Sequence, residues 1–152
     1  MIPRKEMLNN YRKTLEAIER SIGNDITYND QLEKYGNIYI PKTNNFLGVY
    51  PQDVIPNYTK YSKCCYIINT SPCNKQGEHW IGVWRENNKN YMYDSFGRNP
   101  ERITPIFNSR VGGQVYYDDE KEQRDEENNC GQRTLSWLLC CCKYGIKNGI
   151  KI

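Results

Sequence analysis

The feature that most constrains this chain is a block of short apolar runs, set between two segments of helical character. Cys65-Tyr66-Ile67-Ile68-Asn69, His79-Trp80-Ile81-Gly82-Val83-Trp84, Tyr91-Met92-Tyr93-Asp94 and Gln114-Val115-Tyr116-Tyr117 are each of strand length. A polar turn, 71–77, separates the first two. The cluster Asn87-Asn88-Lys89-Asn90 makes the second and third a predicted hairpin. Before this block, Met7, Leu8, Tyr11, Leu15, Ile18 and Ile22 recur at steps of three and four. This predicts an amphipathic helix ended by Gly23. After the block, the run Cys130 to Cys140 has helical character, with Asn128 or Asn129 placed as its N-cap. The stretch Asn24 to Pro56 is rich in Asn, Tyr and Pro and reads mainly as loops, with a short strand at Asn37–Ile40 stopped by Pro41. Strands in the middle and helices at both ends predict an α+β fold, in one domain spanning residues 1–152.

The cysteines narrow the function classes. There are seven, an odd number, and Cys64-Cys65 and Cys140-Cys141-Cys142 are adjacent runs, so a regular disulfide framework is not expected. With one histidine and no Cys-x-x-Cys pair, a zinc centre is not expected either. Six of the seven read as reduced, buried, small apolar residues. The N-terminus carries no signal-like apolar stretch and no run is of membrane-spanning length, so a cytosolic, nuclear or virion setting is expected, with no membrane partner.

Cys130 is the exception. A thiol becomes a nucleophile when its proton is lost, which a helix N-terminus and a neighbouring imidazole both favour. Cys130 opens the last predicted helix, and Gly131 beside it would let a substrate backbone approach. His79, the sole histidine, follows a turn and is the candidate base. Asp94 falls near the same end of the predicted hairpin and could hold the imidazole in one tautomer. Gln123, seven residues before Cys130, could bring its carboxamide alongside the Cys130 amide as a second oxyanion donor. Trp80 reads equally as a cleft wall or as a core aromatic.

Charge adds a second theme. Asp118 to Glu127 holds seven acids and two bases. Out of 18 acids and 21 bases in all, the rest of the chain keeps 11 and 19, a net +8. Such an excess suits contacts with nucleic-acid phosphates, and it is equally common on solvated surfaces. Gly112-Gly113 reads as a loop before a strand rather than as a self-cleavage site.

Taken together, these segments resemble the adenain-like cysteine peptidases, the family of the adenovirus maturation protease, whose wider clan includes SUMO-specific proteases. Gly77-Glu78-His79-Trp80-Ile81-Gly82-Val83-Trp84 resembles the strand carrying the general base, and Tyr91-Met92-Tyr93-Asp94-Ser95-Phe96-Gly97 the strand and turn carrying the acid. Gln123 through Cys130-Gly131 is similar to the oxyanion glutamine and the Cys-Gly of the nucleophile helix. Phe46-Leu47-Gly48-Val49-Tyr50 with Asp53 and Pro56 resembles the start of the shared core. The resemblance covers about 46–142. It implies a central mixed sheet with the nucleophile at the N-terminus of a central helix.

The resemblance also implies a monomeric endopeptidase without a cofactor, acting on viral capsid or core precursor proteins at Gly-Gly or Gly-x sites. That activity would be exerted in the virion or in host cytoplasm or nucleus, with DNA or a peptide as activator. The family extends well past the nucleophile helix, whereas this sequence ends at Ile152, and the N-terminal helix, 1–23, has no counterpart in it. The order His79 before Cys130 is opposite to that of papain-like enzymes. Their 51-residue interval suits caspases, but the caspase signature is missing around Cys130. Two other functions fit the same residues: removal of ubiquitin-like or SUMO-like modifiers, and non-catalytic nucleic-acid binding in a virion.

Overall fold

The structure is a computed structural model that describes residues 1–71, 79–119, 123 and 127–152. The predicted turn at 72–77, Cys73, Gly77 and Glu78 of the histidine motif, and most of the acidic run lie outside the described residues.

Helix α1, Arg4–Ile22, buries Met7, Tyr11, Leu15 and Ile18, the stripe expected from their spacing. Gly23 ends it at φ +84°, with its N–H on the Glu19 carbonyl. The next element corrects the sequence reading. Asn37–Ile40 is not a strand: it is the end of helix α2, Asn29–Tyr39. Gln31 accepts the Tyr28 backbone N–H at 2.9 Å, half of a capping box, and the helix stops before Pro41. Only Leu32 and Gly36 are buried on it, so its apolar stripe is thin. Exposed Ile38 and Tyr39 imitate the composition of a strand. The supposed loop region also contains strand β1, Phe46–Pro51.

Strands β2 (Lys63–Asn69), β3 (Trp80–Glu86), β4 (Lys89–Tyr93) and β5 (Gln114–Tyr117) complete a five-stranded sheet in the order β1-β2-β3-β4-β5. The outer pairs are parallel and the inner pairs antiparallel, so the sheet is mixed. The β3–β4 hairpin turns through Asn87 and Asn88, at φ +54° and +61°. Both dihedrals suit a two-residue turn whose twist matches the strands. Short helices α3 (Pro100–Ile103) and α4 (Pro105–Arg110) precede β5. Helices α5 (Cys130–Tyr144) and α6 (Ile146–Gly149) follow it.

Alternation along the strands supplies two cores. Cys65, Ile67, Trp84 and Tyr93 face α1 and α5, where they meet Tyr11, Leu135, Trp137 and Leu138. Cys64, Tyr66, Ile68, Ile81, Val83 and Met92 face the opposite way, onto Phe107 and Val111. The fold is therefore α+β, with α5 held between the sheet and α1. Each fully buried Leu of α5 contributes about 1.5–3 kcal/mol through removal from water, so the helix that begins at Cys130 is firmly seated. Among the described residues no helix is long and apolar enough to cross a membrane.

Candidate active site

The hairpin delivers two of the residues. In the register Gly82 lies opposite Tyr93, so His79, just before β3, and Asp94, just after β4, emerge at the same end. The His79 carbonyl is fixed by the Thr70 N–H at 3.0 Å. Its Nε2 meets Asp94 Oδ1 at 2.5 Å, with both side chains almost fully buried. Asp94 is held in turn by the Phe96 N–H at 3.2 Å, the Arg98 N–H at 3.0 Å and Arg98 Nε at 2.9 Å. The Phe96 ring packs 5.1 Å from the imidazole, and the Arg98 guanidinium lies 5.1 Å above that ring.

Helix α5 delivers the third. Its first residue is Cys130, and the Cys130 thiol is hydrogen-bonded to His79. Since Nε2 is engaged with Asp94, Nδ1 is the nitrogen left for sulfur. The backbones of Trp80 and Gly131 also stabilise the thiolate by hydrogen bonding. Burial works against ionisation of this thiol, but the His79 contact, its charge and the two backbone groups outweigh it and lower the pKa. Burial likewise disfavours the charged imidazole, yet the bonds to Asp94 and Cys130 prevail and raise its pKa. For Asp94, burial opposes ionisation and the bonds from His79 and Arg98 overcome it, holding the carboxyl at about 2. All three directions favour a thiolate–imidazolium pair anchored on a carboxylate.

The remaining candidates are placed less simply. Gln123 is buried, with its N–H on the Ser95 carbonyl at 3.0 Å and its Oε1 on Ser95 Oγ at 2.5 Å. Its Nε2 carries two hydrogens, one of which goes to the Glu127 carbonyl at 2.6 Å. Gly131, expected to make room for substrate, turns its missing side chain inward. A Cβ there would run into the Thr27 hydroxyl and Leu32. Packing against the α1–α2 connection therefore accounts for this glycine. Trp80 is half-buried against the core, and its indole N–H donates to the Thr27 carbonyl at 3.2 Å. Asn129 is the residue preceding α5, but its side chain does not cap the helix.

The six described cysteines are all unpaired. Burial pushes Cys64 and Cys140 up to about 11, and Cys141 well above the ordinary range. Cys142 departs from the expectation of inert thiols. It is half-buried, and a hydrogen bond with Cys65 lowers its pKa while raising that of Cys65. A cavity of about 550 Å³ lies to one side of the thiol, between β4, β5 and the C-terminal residues. Tyr91, Tyr93, Tyr116, Tyr117 and Trp137 line it, and it reaches Asp94 but not His79 or Cys130.

Sequence reasoning passed over Arg98, Ser95, Phe96, Thr27 and Arg133. Arg98 had a local signal, since it stands four residues after Asp94 and on the same tight turn. Thr27 had none, because its partner lies in a distant part of the chain, and the same holds for the contact of Arg133 with Tyr11.

A helix-borne thiol, an imidazole and an orienting carboxylate, on an α+β frame, define the class of site used by thiol-dependent acyl-transfer proteins. Comparison with known proteins points the same way. Residues 46–113 match the family model described as adenovirus endoprotease. A 69-residue stretch, 44% of the chain, is 33% identical to the protein named "Protease" of Equine adenovirus B serotype 2. The matched stretch covers 34% of that relative's length. Over that stretch the chain is therefore similar to adenovirus proteases. The family match contains His79 and Asp94, while Gln123 and Cys130 lie beyond it.

Proposed function

We propose that this protein is a cysteine endopeptidase in which Cys130 is the nucleophile, His79 the general base and acid, and Asp94 the residue orienting the imidazole. The observation that carries the reading is the buried His79 Nε2–Asp94 Oδ1 contact at 2.5 Å, on an imidazole that also interacts with the Cys130 thiol and lowers its pKa. The thiolate attacks a peptide carbonyl carbon, forming the C–S bond and an oxyanion. Gln123 Nε2 and the Cys130 amide receive that oxyanion. Collapse breaks the C–N bond, and the imidazolium gives its proton to the departing amine. A water then attacks the thioester, losing a proton to His79, and the acid product leaves as the thiolate is restored.

The likeness to an adenovirus protease supports substrates among viral capsid and core precursor proteins, cut at Gly-Gly or Gly-x sites during virion maturation. Incubating the purified protein with a peptide library containing Gly-Gly, and reading products by mass spectrometry, tests this reading. Cleavage that disappears in Cys130→Ala supports it. Persistence of the same products in Cys130→Ala contradicts it, and exclusive reaction with ubiquitin-like C-terminal probes would reassign the substrate.

A further inference from the structure

Arg133 lies one turn into α5, largely buried, and divides its guanidinium among three partners in two parts of the chain. Nε donates to Asn129 Oδ1 at 3.1 Å, Nη1 to Tyr11 Oη at 3.3 Å and Nη2 to Glu127 Oε2 at 3.3 Å. Its side chain is 11% exposed. Each partner adjoins the segments that carry the site. Asn129 and Glu127 belong to the segment leading into Cys130, and the Glu127 carbonyl holds the Gln123 carboxamide. Tyr11 Oη meets Tyr93 Oη at 2.7 Å, and Tyr93 immediately precedes Asp94. Burying a guanidinium is costly unless its donors are satisfied, so a fork used three ways demands an explanation.

The explanation lies in Asn129. An asparagine before a helix ordinarily turns its carboxamide oxygen onto the N–H of the second or third helical residue, here Gly131 or Gln132. In this chain that oxygen is given to Arg133 instead, and the Asn129 side chain does not cap α5. The Gly131 backbone group is meanwhile one of those stabilising the Cys130 thiolate. We propose that Arg133 is a positioning residue: it draws the Asn129 carboxamide off the first turn of α5, which reserves the Gly131 amide for the Cys130 sulfur. Lysine could supply the charge but not the three-way fork. The inference rests on Cys130 being the activated thiol of the preceding section, and it concerns what keeps that thiol activated.

The test compares Arg133→Met, Arg133→Lys, Asn129→Ala and the two double variants. Three quantities are read: the alkylation rate of Cys130 by iodoacetamide near neutral pH, thermal melting, and kcat and KM on a cleaved peptide. Arg133→Met should slow alkylation and lower kcat about fivefold, the scale of one helix cap, with KM within about twofold. Removing Asn129 as well should restore both, because the competing carboxamide is then gone. Arg133→Lys should fall between. Wild-type alkylation in Arg133→Met overturns the proposal, as does a double variant no faster than its parent, whatever the melt shows. Should Arg133→Met not fold, the same comparison between Arg133→Lys and Asn129→Ala/Arg133→Lys decides. If the alkylation pattern holds while no peptide is cleaved by wild type, the peptidase reading fails and the role of Arg133 stands.

Discussion

Asp94 accepts four hydrogen bonds on two oxygens, from His79, the Phe96 amide and two donors of Arg98. Its carboxyl is held at about 2 against an ordinary 3.8, a depression corresponding to about 2 kcal/mol of folding stability. Because the folded value is the lower one, that contribution is complete above about pH 4 and is lost as pH falls toward about 2. Asp94→Asn should therefore be less stable than wild type by about 2 kcal/mol near neutrality. Denaturant titrations at a series of pH values should show the gap closing over that acid window; a gap independent of pH would contradict it. Gln123 poses a different question, since one of its donors already serves Glu127. Gln123→Ala should lower kcat by about 10²–10³ if the other donor faces the oxyanion, and steady-state kinetics with unchanged kcat would remove it from the mechanism.

At the scale of elements, the most informative is α2, because its sequence disguises it. Leu32 is fully buried between α2 and the start of α5, where it also stands against Gly131. Leu32→Ala should cost about 2–5 kcal/mol, the range for opening a cavity in a packed core. A loop at 24–40, as composition suggests, would tolerate the change with little loss, so an equilibrium unfolding measurement separates the two. The same connection contributes Thr27, whose carbonyl fixes the Trp80 indole. Gln132 reaches back to it through bonds to the Gly23 and Asp25 carbonyls at 2.8 and 2.9 Å. The N-terminal third of the chain thus packs directly behind the nucleophile.

Over the whole molecule, what was legible in the sequence is what local patterns encode. The hairpin could be read because Asn87 and Asn88 tolerate positive φ and alternation flanks them. The nucleophile helix could be read because apolar residues fill much of its length, with Leu135, Trp137, Leu138, Cys140 and Cys141 buried, and Cys130 stands at its head. Helix α2 was hidden because two buried positions make too weak a stripe, and β1 because its residues are mostly half-buried. Long-range side-chain choices were not legible either. That Gly131 serves packing, that Asn129 leaves the helix uncapped, and that Arg133 joins α1 to the segment before Cys130 follow only once α1 and α5 are side by side. The pairing of His79 with Asp94 was implied by the hairpin, whereas its contact with Cys130 joins residues 51 positions apart.

That contact can be measured directly, as the pH dependence of iodoacetamide alkylation at Cys130, followed by peptide mapping in wild type and in His79→Ala. With the thiol pKa lowered by imidazole, wild-type Cys130 should react before Cys142 and the buried cysteines, and stay reactive well below the ordinary thiol range. His79→Ala should move the midpoint upward, since burial then acts unopposed by the imidazole. Superimposable profiles for the two proteins, or labelling that begins at Cys142 in wild type, would contradict the account.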